Sequence, residues 1–136
     1  MKKTTLILFT ILFTSIATSF AQSKSLVGTW KLTAVDIGIE IPEEHRASIN
    51  QTFQEIIANT SMTFNSDGTV VGNGIDPLNG EKIVENSTYT FDGTTLVTTD
   101  SNGEEDSITL PDFDGKNIAI HETESGLNLT MRFVKQ

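Results

Sequence analysis

Residues 61–72 read Ser61-Met62-Thr63-Phe64-Asn65-Ser66-Asp67-Gly68-Thr69-Val70-Val71-Gly72. Two short runs of β-branched, aromatic and other strand-compatible residues flank a turn of Asn, Ser, Asp and Gly, which is the pattern of one antiparallel hairpin. The same punctuation recurs down the chain. Asn79-Gly80, Asp92-Gly93, Asn102-Gly103, Asp114-Gly115 and Ser125-Gly126 follow Asp67-Gly68, with successive glycines 12, 13, 10, 12 and 11 residues apart. That interval holds one strand and one turn. Asn, Asp and Gly tolerate positive φ, so the dipeptides are expected to form tight type I′ hairpin turns. Strands are then predicted at Ser61–Asn65, Thr69–Gly72, Ile83–Phe91, Thr95–Thr99, Ser107–Leu110, Asn117–Glu122 and Leu127–Val134.

One more strand precedes these. Over Leu26–Val35, Trp30, Leu32 and Ala34 alternate against Thr29, Lys31 and Thr33, and a period of two marks a strand with one buried face. Between it and the hairpins lies the single helix candidate, Pro42–Ala58. Pro42 suits the first helical position, and Glu43 and Glu44 favour the N-terminal dipole. Ile49, Phe53, Ile56 and Ile57 keep helical spacing, a stripe expected to lie on the sheet or cap an end of it. Eight strands in simple succession manage their edges best by closing. The predicted fold is all-β: an eight-stranded antiparallel up-and-down barrel with one helix between the first and second strands.

Gly28-Thr29-Trp30, followed by Lys31-Leu32, resembles the Gly-x-Trp first-strand signature of the lipocalin and calycin superfamily. Similar openings recur in bacterial lipocalin-like domains, many of them small exported proteins. The resemblance implies that Gly28 and Trp30 anchor a closed end, where a basic residue of the last strand packs over the indole. Arg132 is the matching candidate, gaining a cation–π attraction of roughly 0.5–2 kcal/mol. Leu127, Leu129, Met131 and Phe133 make the apolar face of that strand, so Arg132 reaches the indole only if a bulge changes its parity. Classical lipocalins lack a helix after the first strand, and fatty-acid-binding relatives have a helical pair there. This chain has one helix.

Parity also names the barrel interior. Trp30, Leu32, Met62, Phe64, Tyr89, Phe91, Ile120, Leu129 and Met131 are expected to face inward and to form the wall of a ligand-binding cavity. Ser87 and Glu85 share the parity of Tyr89, and Glu122 that of Ile120, which places carboxylates near a mouth. They would repel a fatty acid's carboxylate, and no Arg or Lys falls on the inner face to hold one. A small neutral or cationic apolar ligand is therefore expected. An eight-stranded barrel can equally be filled by its own side chains. The alternative is a filled-barrel interaction module that contacts another envelope protein or a glycan through the acidic loops or the helix.

The 136 residues include 18 acidic, 9 basic, two His and no Cys. Without clustered Lys and Arg, nucleic acid is not an expected partner, nor is an anionic membrane surface. Met1-Lys2-Lys3, the apolar Leu6–Phe13 and the small-residue site Ser19-Phe20-Ala21 read as a signal peptide over residues 1–21. Its removal leaves one domain, residues 22–136, and moves the net charge from −9 to −11 because Lys2 and Lys3 depart. The apolar run is too short to span a bilayer, so no stable membrane insertion is expected afterwards. The expected location is the periplasm or the outside of a Gram-negative bacterium. Absence of Cys excludes disulfides, thiolate chemistry and a lipoprotein anchor. His45 and His121 are far apart in sequence with no convincing third ligand, and Asp100–Asp106 lacks the Gly and Glu positions of an EF-hand. No catalytic residue, cofactor or metal is expected.

Overall fold

A computed structural model describes residues 24–76, 78–124 and 126–136. The expected leader, with its cleavage site after Ala21, and Ser125 of the last turn dipeptide lie outside the described residues. The elements are β1 (Gly28–Ile37), α1 (Glu43–Asn59), β2 (Ser61–Phe64), β3 (Thr69–Ile75), β4 (Lys82–Phe91), β5 (Thr95–Thr99), β6 (Glu105–Thr109), β7 (Asn117–Glu124) and β8 (Leu127–Lys135). The sheet runs β6-β5-β4-β3-β2-β1-β8-β7, all antiparallel. Consecutive strands are neighbours except that β8 returns beside β1, the order of an up-and-down barrel. No ladder joins β6 to β7, so the barrel is nearly closed, with a seam between them.

Three of the turns are longer than the expected two-residue hairpins, whereas β7 and β8 are joined through two residues, 125 and 126. The loops Asn65–Gly68, Asp92–Thr94 and Asp100–Glu104 exceed two residues. Asp92 Oδ1 accepts the N–H groups of Thr94 and Thr95 at 2.9 and 2.7 Å, and Asp100 Oδ1 accepts those of Asn102 and Glu104 at 2.8 and 2.9 Å. The carboxylate thus satisfies amides that a two-residue turn would pair across strands. Gly93 and Gly103 take the left-handed position, at φ 102° and 83°, as loops built on a type I turn require.

The alternation of β1 is also broken. Leu32 pairs with Phe133, but Ala34 pairs with Arg132 and Val35 with Met131, across a register shift. The bulge inserts one residue and exchanges the faces. Val35, rather than Ala34, packs against the core beyond it.

β2 is short, pairing only with Gly28–Lys31 of β1. Above it α1 occupies the wall between β1 and β3. The helix ends at the sheet, where the Leu32 N–H donates to Thr60 O at 3.1 Å. Ile56 and Ile57 of the expected stripe pack against the core, while Ile49 and Phe53 are half-buried. No residue of α1 is fully buried. Pro42 stands just before the helix in extended backbone, at φ −54° and ψ 140°, which is one residue earlier than expected.

Candidate functional site at the open end of the barrel

The two ends of the barrel differ. At the closed end Trp30 is 0% exposed, and its Nε1–H donates to Leu26 O at 2.8 Å, which satisfies the indole in an apolar surrounding. Phe113, from the β6–β7 connection, lies 5.8 Å from the Trp30 ring and edge-on to Phe91 at 5.2 Å. Phe64 meets Tyr89 edge-on at 4.9 Å, and the Tyr89 hydroxyl donates to Asn65 O at 2.9 Å. Burial raises the Tyr89 pKa, with the negative charge of Asp67 adding to the effect. Leu26, Leu96, Leu110, Ile118 and Phe133 complete this packed half.

The cation over Trp30 is Lys135, with Nζ 5.6 Å from the ring centroid. Arg132 does not reach it, which corrects the expected anchor. Its parity is the outer one, opposite Ala34, and its Nε lies 3.4 Å from Asp36 Oδ2 on the exposed face. Lys135 instead pairs in register with Trp30. Its aliphatic stem crosses Gly28, where an added Cβ would stand 2.7 Å from Lys135 Cε and where φ is +136°. Gly28 therefore admits both the backbone turn and the lysine.

At the other end the inner face is open. β4 from Lys82 to Ser87 runs beyond the end of β5, whose ladder begins at Thr88, and pairs there with β3 alone. Gly74 and Gly72 lie opposite Ile83 and Glu85, so β3 contributes no side chains to that wall. Ile83 is 41% exposed and Leu127 37% exposed, although both carry inward parity. Glu85 and Glu122 are exposed as well, and Ser87, Leu129 and Met131 are half-buried. Ile83 and Leu127 are the outermost inward-facing residues of this opening, and Glu85 and Glu122 stand one such position nearer the core, opposite Gly72 and Leu129.

The residues expected to line a ligand cavity divide between these halves. Trp30, Leu32, Phe64 and Ile120 are sealed in the core, the least covered of them 5% exposed. Met62, Tyr89 and Phe91 pack against that core. Met131 packs against the core too, and Leu129, half-buried, reaches the open end. Ile83 is the inner-wall residue that the sequence reading missed, although counting by two from Tyr89 through Ser87 and Glu85 arrives at it.

His121 lies on the outer parity, with Nδ1 2.9 Å from Thr130 Oγ1, and His45 is exposed on the first turn of α1. Among the described residues no group of three or more His, Asp or Glu is placed to hold a metal ion. Among them, too, no helix is long and apolar enough to cross a membrane.

Residues 26–124 match the family model described as a lipocalin-like domain. Among curated proteins none matches the chain. The up-and-down order of eight strands and a match that runs from the approach to β1 through the end of β7 agree: the chain belongs to the lipocalin-like domain family, whose barrel is in general suited to binding small molecules.

Proposed function

We propose that this protein is exported, loses residues 1–21, and binds a small neutral or cationic apolar molecule at the open end of its barrel without transforming it. The observation that supports this reading is the exposure of apolar inner-face residues, Ile83 and Leu127, above a sealed aromatic core. Covering such surface returns about 25 cal/mol per Å², and ligand sites combine apolar lining with a few placed polar groups. Glu85 and Glu122 are exposed and stand just inside Ile83 and Leu127, where they favour a cation and oppose a carboxylate.

Native mass spectrometry of the chain purified from the periplasm of a Gram-negative host tests the reading, with gentle and denaturing conditions compared. A discrete adduct released on denaturation, and reduced in Ile83→Ser, supports the carrier. A clean mass with no stabilisation by a panel of apolar amines and neutral apolar compounds refutes it. That outcome favours the second reading, a filled interaction module for an envelope protein or glycan, for which the dense packing of the lower half is the supporting observation.

A further inference from the structure

We propose that the seam between β6 and β7 binds a basic, extended peptide segment by strand addition. This goes beyond the ligand at the open end and does not depend on it. β6 and β7 follow one another in the chain and run in opposite directions, yet no ladder joins them. Across the seam their Cα atoms stand for the most part more than 8 Å apart, against about 5 Å for hydrogen-bonded neighbours. One more strand requires two strand spacings, roughly 10 Å. Asp106–Thr109 and His121–Thr123 line a common groove there, about 510 Å³ in volume.

The backbone on both sides is turned toward that groove. Leu110 N–H reaches Thr94 O at 2.6 Å and Asp100 N–H reaches Glu104 O at 3.0 Å. Both bonds close pairs of the β5–β6 register. By the alternation of antiparallel ladders, Asp106 and Ile108 then bond to β5, and Glu105, Ser107 and Thr109 present N–H and C=O to the seam. On the other side, Lys135 N–H reaches Lys116 O at 2.9 Å, which turns the backbone of Ala119, His121 and Thr123 outward from β8 by the same rule. The Ser107 N–H is held by the carboxylate of its neighbour, Asp106 Oδ1, at 2.9 Å. A local acceptor stands where a partner strand's carbonyl would be.

Charge selects the occupant. Glu104, Glu105 and Asp106 on one side and Glu122 on the other are all exposed, and the chain carries a net charge of −9. A second copy would bring like charges edge to edge, which opposes pairing. A strand carrying Lys or Arg opposite Asp106 and Glu122, with an apolar residue at the level of half-buried Ile108, complements the groove. Such recognition takes its affinity from main-chain bonds and its choice of partner from alternate side chains.

The experiment uses the full chain, amide hydrogen exchange by NMR, and two peptides: acetyl-Thr-Val-Thr-Lys-Thr-Val-Thr-amide and its twin with Glu for Lys. The lysine peptide is expected to slow exchange at Ser107, Thr109, His121 and Thr123 by about tenfold or more, and the glutamate twin to bind at least about tenfold more weakly. Ser107→Pro removes an N–H that the β5 ladder does not use, so it should abolish binding while the melting temperature holds. Asp106→Asn with Glu122→Gln should erase the preference for lysine. Exchange unchanged at saturating peptide, equal binding of the twins, or seam protection that grows with protein concentration in the absence of peptide overturns the proposal.

Discussion

Replacing Gly28 with alanine is expected to cost about 2–3 kcal/mol of stability. At φ +136° any L side chain is strained, and a non-glycine residue in such a region costs of order 1–3 kcal/mol. The new Cβ would also stand 2.7 Å from Lys135 Cε. That atom is near the end of a flexible side chain, so the lysine swings aside and the clash itself is cheap. What is then lost is the attraction of Nζ, 5.6 Å from the Trp30 centroid, about 0.5–1 kcal/mol. For a domain of this size each kcal/mol lowers the melting temperature by about 4 °C, so Gly28→Ala should lower it by roughly 8–12 °C. Trp30 is the single Trp of the chain, and its fluorescence follows unfolding in urea or heat. A double-mutant cycle separates the two terms. In a Lys135→Ala background Gly28→Ala should still cost the strain, leaving a coupling of at most about 1 kcal/mol. A loss below about 0.5 kcal/mol, or full rescue by Lys135→Ala, would refute the reasoning that backbone conformation dominates.

Arg132→Ala should cost less than about 0.5 kcal/mol and leave Trp30 emission unchanged, because its ion pair with Asp36 is solvent-exposed; a loss near that of Lys135→Ala in urea titrations would contradict the assignment. Val35→Ser is expected to cost about 1–2 kcal/mol and Ala34→Ser under about 0.5, and the reverse order in chemical denaturation would show that the β1 bulge is misplaced. Phe113→Ala should cost about 3–4 kcal/mol by opening the base beneath Trp30 and Phe91, with a red shift of Trp30 emission as the readout. Acid should weaken the turns: Asp114 is held at about 2 by the side-chain amide of Asn117 and the N–H groups of Lys116 and Asn117. Thr69 and the amides of Thr94 and Thr95 likewise lower Asp67 and Asp92. Depressed folded values mean that the stabilisation is present above the ordinary carboxylate value of 3.8 and is lost as pH falls from there toward about 2. Asp114→Asn should flatten melting temperature against pH in that window, and an unaltered profile would count against it.

The spacing of the turn glycines and the period of two make the strand count, their succession and the helix legible in the sequence. Trp30, Leu32 and Phe64 were likewise recognisable as interior, since each lies on the apolar parity of an unbroken stretch. These are properties of neighbouring residues, and neighbouring residues are what a sequence displays. The type of the Asp-Gly turns is not legible in this way, because an Asp side chain that accepts two amides does the work of a second positive-φ residue, and both carry the same letters.

Other features arise only between segments distant in the chain. The bulge that turns Val35 inward exists because β1 must match β8, and Lys135 rather than Arg132 covers Trp30 because that same register places it there. Whether the interior is sealed or open was decided by ladder lengths. β4 outruns β5 and β2 stops early, so one end fills with aromatics while Ile83 and Leu127 keep contact with solvent. Local pattern determined which face of each strand is apolar, but how much of that face is covered depends on where its neighbours end, and strand ends are set by pairing across the sheet.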